Sequence, residues 1–199
     1  MFKIVLLGAG GHARSCVEVI EKSKKYKIQF LVDNKKNLKL NPYKIIKEEK
    51  LLNIKKKCNK ALISFGGIKN LELRNKKYLE LKKIGFAFPV IISNTSYVSY
   101  NSSIGDGSIL MNQSLVNAGA KIGKNCIINT RAVIEHDVTI QDNCHISTGS
   151  IVNGNVKIEK NTFIGSGSII FNNIKIGKNC VVSAGSIIKR NIPDNAVIK

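Results

Sequence analysis

From Ile92 to Ile188 every sixth residue is aliphatic, a run of seventeen hexads that includes Ile104, Val116, Ile128, Ile140, Val152, Ile164 and Ile176. Helices repeat about every 3.6 residues and flat strands every two, so a strict period of six over about a hundred residues requires a corner every six residues. A triangular coil satisfies it, with three hexads to a turn and residues eighteen apart stacked. At the strand spacing, seventeen hexads make a prism roughly 27 Å long.

The fourth residue after each aliphatic position supports the coil, because a corner pointing inward has little room. Thirteen of these seventeen residues are small, among them Ser108, Ala120, Cys126, Ala132, Cys144 and Ser150, and Val138, Val156, Ile174 and Ile192 are β-branched. Glycine, asparagine and aspartate crowd the corners between, as in Gly105-Asp106-Gly107 and Gly177-Lys178-Asn179. Each coil covers only its neighbours, so stability comes from stacking layers. The period does not fix the hand of the coil.

Composition narrows the class of protein. No apolar run approaches eighteen residues, and the run Ile4 to Leu7 breaks at Gly8, so a cytoplasmic protein without membrane insertion is expected. Three of the five cysteines, Cys126, Cys144 and Cys180, fall on the small inward position and read as core filler rather than metal ligands. The net charge is +19, and residues 1–90 carry +15 of it. Part of that excess is lysine on a solvated surface, and part would attract polyanionic small molecules to the first domain. Nucleic acid is disfavoured as a partner, because aromatics are sparse and no arginine cluster or recognition motif occurs.

Residues 1–90 read as a separate α/β unit and residues 91–199 as the prism. A buried strand, Lys3 to Leu7, runs into Gly8-Ala9-Gly10-Gly11-His12-Ala13-Arg14 and then a helix to about Lys22. Glycines at such a turn let the backbone approach a phosphate, which the free N–H groups of a helix N-terminus attract. A second strand, Ile28 to Val32, ends at Asp33, placed to reach ribose hydroxyls. A third strand, Ala61 to Phe65, leads to Gly66-Gly67 and a helix from about Lys69 to Lys83 that contains Arg74. Ninety residues make half of a dinucleotide-binding fold. A Rossmann-like βαβ domain for a nucleotide group is therefore expected, and NAD is disfavoured.

Chemistry concentrates in one hexad, where His136 is flanked by Glu135 and Asp137. A carboxylate holding one ring nitrogen fixes the tautomer and raises the basicity of the other, as a general base near neutral pH requires. His145 lies one hexad on, near a corner. A zinc site on such a prism needs three histidine ligands and the repeat holds two, so no metal is expected.

The N-terminal Gly-x-Gly-Gly-His-Ala-Arg, the uninterrupted hexapeptide prism, and Asn129-Thr130 followed by Glu135-His136-Asp137 and His145 together resemble the bacterial sialic acid O-acetyltransferase family of sugar acetyltransferases. That family includes N-acetyltransferases of nucleotide-linked 4-amino-dideoxy sugars, the bacillosamine, perosamine and viosamine enzymes of polysaccharide biosynthesis. The resemblance implies a left-handed parallel β-helix, acetyl-CoA as co-substrate and a homotrimer with acetyl-CoA in the groove between adjacent prisms. It makes His136 the catalytic base, Asp137 its orienting partner with Glu135 the alternative, and Asn129 a contact to the acceptor sugar. His145, Gly154 and Ala184 would line the cofactor path, and Gly10, Gly11, His12, Arg14, Asp33 and Lys35 would hold the UDP, GDP or dTDP part of the substrate. Family members usually continue past Val197 into a Gly-x-Pro-Ala-Lys tail, so weaker contacts to the adenine end of CoA are expected for a chain ending at Lys199.

Overall fold

The computed structural model of the protein describes residues 1–35, 38–67 and 71–199. The chain begins with β1 (Phe2–Leu7), α1 (Gly11–Ser23), β2 (Tyr26–Val32), β3 (Ile45–Ile46), α2 (Leu51–Lys55), β4 (Ala61–Ile63) and α3 (Leu71–Lys83). The strands form a parallel sheet in the order β3-β2-β1-β4. Its alternation divides β1 between two cores. Ile4 and Leu6 pack with α1 and with Ile91, Ile109 and Ile127 of the prism, while Val5 and Leu7 pack with Ile54, Tyr78 and Leu81 of the other helices. A sheet covered on both faces reads as an unbroken apolar run, which is why Ile4 to Leu7 shows no polar alternation. The third helix was expected from about Lys69, a start that lies outside the described residues. No helix among the described residues is long and apolar enough to cross a membrane.

The hexads fold as a three-sided parallel coil of two-residue strands joined by tight corners. Residues eighteen apart pair in register, for example Ile127 with His145 and Ile134 with Val152. The aliphatic and small positions point inward and form one continuous core from Leu110 to Ile192, in which Cys126, Cys144 and Cys180 are buried. From Gly107 to Gly185 the residue just before each small position has a left-handed backbone, and all but Gln113 and Arg131 are glycine, asparagine or aspartate. Those residues are the ones that tolerate positive φ, which explains the composition of the corners. The last coil is shorter by two residues: Val181 pairs with Val197, and a single bridge from Ile176 to Ile192 replaces a strand.

The three faces differ in what they show outward. One begins at Ile91, Ile109, Ile127, His145 and Phe163 and is covered by the N-terminal unit, all five being buried. A second presents Tyr97, Leu115, Val133, Ile151, Ile169 and Ile187, an apolar column over which none of the other described elements packs. The third is polar and carries Lys121, Lys157 and Lys175. The edge between the lysine face and the covered face is laced by an asparagine ladder. Asn125 donates to Asn143, Asn143 to Asn161, Asn161 to Asn179 and Asn179 to Asn195, over 2.9, 2.9, 3.1 and 2.9 Å.

Candidate active site

The N-terminal unit holds an open cleft of about 690 Å³ at the C-terminal end of its sheet, where ligands of parallel α/β sheets bind. Gly8, at φ +108°, brings the turn so close to Phe65 that a Cβ would stand 3.1 Å from it. Asp33 accepts the Ala9 N–H at 3.0 Å and the Lys35 N–H at 2.9 Å, so its carboxylate braces the glycine turn. Gly10 is the N-cap of α1 and supplies no side-chain cap, leaving the helix N–H groups open to an anion. Gly10, Asp33 and Lys35 line the cleft, with Phe65, Glu48 and Lys77 beside them. Sequence reasoning missed these last three, because Lys77 and Glu48 reach the cleft through an ion pair between distant segments. Gly11 and Arg14 are exposed at the start of α1.

His12 turns away from the cleft toward the covered face of the prism. Its ring lies 6.4 Å from that of His145, and Gly66 fits against both. His145 stands edge-on to Phe163 at 5.1 Å and accepts a hydrogen bond at Nε2 from Asn129 Nδ2 at 3.3 Å. Thr130 N–H occupies the amide oxygen of Asn129, so the amide orientation is fixed and the His145 proton belongs on Nδ1. Burial, and then Arg74, lowers the His12 pKa to about 4. Burial, followed by His12 and Arg74, lowers that of His145 to about 3. Both rings are neutral at pH 7.

His136 occupies a different environment. It projects from the edge between the apolar and lysine faces, with 57% of its side chain exposed, and its Nδ1 lies 3.0 Å from Asp137 Oδ2. A carboxylate accepts, so Nδ1 donates to it, and in the neutral tautomer this leaves Nε2 as the acceptor. The left-handed backbone of Asp137, at φ +60°, aims its carboxylate at the ring, and Gly119 leaves room for it: a Cβ there would meet Oδ1 at 2.5 Å. One coil on, Gly154 gives the ring its seat, since a Cβ would stand 2.6 Å from both Cε1 and Nε2. Glu135 accepts from Asn117 Nδ2 at 2.9 Å, so Asp137 is the carboxylate bonded to the imidazole.

These residues therefore form two groups at opposite edges of the uncovered apolar face. Asn129 and Ala184 lie on the corner shared with the covered face, beside His145, whereas His136, Asp137 and Gly154 lie on the corner shared with the lysine face. Within one chain His136 and His145 stay on different edges of the coil.

Two family models match the chain: the PglD N-terminal domain over residues 3–81 and the GMPPB C-terminal domain over residues 110–198. No curated protein matches it in sequence. Among solved structures, the acetyltransferase domain of PglB from Neisseria gonorrhoeae, in complex with acetyl coenzyme A, is 28% identical. It superimposes with a TM-score of 0.91 over 98% of this chain and 94% of that one. PerB from Caulobacter crescentus, in complex with CoA and GDP-perosamine, is 25% identical with a TM-score of 0.91, covering 99% and 93%. WeeI from Acinetobacter baumannii is 22% identical with a TM-score of 0.90, covering 100% and 97%. The coil is thus the left-handed parallel β-helix of these proteins, joined to an N-terminal α/β unit that matches the PglD N-terminal domain model.

Proposed function

We propose that the protein is an acetyl-CoA-dependent N-acetyltransferase that acts on the 4-amine of a nucleotide-linked amino-dideoxy sugar, as a homotrimer in the cytoplasm. The observation that carries this reading is the division of the site residues between the two edges of one uncovered apolar face. When that face packs around a threefold axis, the His136 edge of one copy comes against the Asn129 edge of the next, and the apolar column from Leu115 to Ile187 is buried. The likeness to PglB and PerB, whose structures hold acetyl-CoA or CoA, supports the choice of acyl donor.

In this reading the cleft at Gly10, Asp33 and Lys35 holds the nucleotide, and residues 1–90 act as the substrate unit on the acetyl-transfer unit, residues 91–199. The sugar amine attacks the thioester carbonyl while His136 Nε2 takes the amine proton, and the Asp137 carboxylate stabilises the imidazolium that forms. The tetrahedral intermediate, its oxyanion held by backbone N–H groups, collapses to the amide and CoA thiolate, which regains the proton from His136. Asn129 contacts the acceptor, and Gly154, Ala184 and His145 border the pantetheine path. Both reactants are held at once, so positioning contributes much of the acceleration.

The test is thiol release from acetyl-CoA with UDP-, GDP- and dTDP-linked 4-amino sugars, with product analysis by mass and hydroxylamine. A hydroxylamine-stable amide is expected. An ester product would redirect the reading to O-acetylation, and binding of both substrates without thiol release would leave a non-catalytic sugar-nucleotide-binding trimer. Mixed refolding of His136→Ala and Asn129→Ala chains checks the shared site: hybrid trimers should regain activity that neither variant has alone, and a site complete within one protomer would give none.

A further inference from the structure

Arg74 of α3 is fully buried, although arginine is the residue type that gives up its charge least readily, and burial lowers its pKa to about 10. A guanidinium withdrawn from water is stable only where its donors find acceptors. Nη1 and Nε of Arg74 find them on two separate parts of the chain, while Nη2 is buried without a partner among the described residues. Nη1 donates to the carbonyls of Ile63 at 2.7 Å and Phe65 at 3.0 Å, and Nε donates to the carbonyl of Asn125 at 3.2 Å. Of the first two acceptors, Ile63 ends β4 and Phe65, two residues on, belongs to the wall of the cleft. The third belongs to the prism corner where the asparagine ladder begins. No carboxylate pairs with Arg74 among the described residues, so the fixed fork of donors, rather than charge neutralisation, accounts for this choice of residue.

What the fork holds lies beside the junction histidines. Gly66 follows directly on Phe65, and a Cβ there would stand 3.6 Å from His145 Cε1 and 3.8 Å from His12 Cγ. Any movement of Phe65 and Gly66 against the prism would therefore be felt by both rings, and through His145 by Asn129. The cleft, the junction and the edge that carries Asn129 are linked through one guanidinium.

We propose that Arg74 is a positioning residue for acetyl transfer: it clamps the Phe65–Gly66 wall of the nucleotide cleft to the prism corner at Asn125, and so fixes how a sugar held in the cleft faces the Asn129 edge. The catalytic half of this inference rests on the transferase reading above, whereas the clamp itself does not. Arg74→Lys keeps the charge and loses the fork, and Arg74→Met loses both. Arg74→Lys is expected to raise KM for the nucleotide sugar at least about tenfold while KM for acetyl-CoA stays within about twofold. Equal changes in the two constants, or none in either, would overturn the proposal.

Hydrogen exchange on the unmodified chain gives a readout that needs neither a variant nor a substrate. Amides in 61–65 and 121–126 should open as one unit, with the same dependence on denaturant. Separate openings of the two segments would overturn the clamp even if both variants fail to fold. Joint opening in a chain that transfers no acetyl group would remove the transferase reading and leave the clamp in place.

Discussion

Gly154→Ala isolates the geometry of the proposed base from the stability of the fold. The backbone of Gly154 lies outside the left-handed region, so alanine is sterically permitted, and its lower unfolded-state entropy stabilises by about 0.4–1 kcal/mol. The new methyl group would stand 2.6 Å from Cε1 and Nε2 of His136, against an ordinary carbon contact of about 3.5–4.0 Å. The ring must therefore move by about 1 Å. It is exposed on its outer side, so it can swing outward, and doing so pulls Nδ1 from Asp137. Loss of that exposed contact costs less than about 1 kcal/mol, so the two stability effects nearly offset. A base displaced by about 1 Å is expected to lower turnover on the order of a hundredfold, which corresponds to about 2.7 kcal/mol in the barrier. The assay is thiol release at saturating substrates beside a thermal melt of the same preparation. A melt within a few degrees of the unmodified chain with turnover down about a hundredfold is the expected pair. Turnover near normal would refute the seat that Gly154 is argued to provide.

His136→Gln should lower turnover at least about a hundredfold with the melt unchanged, because its ring contributes only an exposed contact to stability. Asn143→Ala removes the second asparagine of the ladder, leaving Asn125 Nδ2 and Asn161 Oδ1 without the partner it supplies, and should destabilise by about 2–4 kcal/mol in denaturant melts. The pH dependence follows from His12 and His145, whose folded pKa values of about 4 and about 3 lie below the ordinary 6.5. Above pH 6.5 neither state binds the proton and the two groups contribute no slope. As pH falls below 6.5 the unfolded chain takes up protons that the folded chain refuses, so stability declines until the folded pKa values are reached. The midpoint of urea unfolding should fall between pH 6.5 and pH 5, and His12→Gln should flatten that slope; a constant midpoint would show that the junction is not dry.

The prism was legible because its rule is local. An inward aliphatic, a left-handed corner and a small inward residue recur every six positions, and each is demanded by the backbone of its own coil. The His136–Asp137 pair was legible for the same reason, since its partners are adjacent in sequence, and the glycine turn with Asp33 was legible as a strand–turn–helix motif whose acidic residue follows about twenty residues on. The cleft residues Glu48, Phe65 and Lys77 were not, because they converge only when α3 docks on the sheet. Nor could a list of site residues show that His145 is buried against His12 while His136 is exposed on another edge. Nine residues separate the two histidines, half of an eighteen-residue coil, and that spacing already places them in different parts of the triangle. A hexad pattern assigns each residue to a face, but which face remains apolar after the N-terminal unit has covered its own depends on where that unit docks. The column from Tyr97 to Ile187 is what remains. The coil that separates the two imidazoles within one chain therefore also supplies the surface through which the proposed trimer would bring them together.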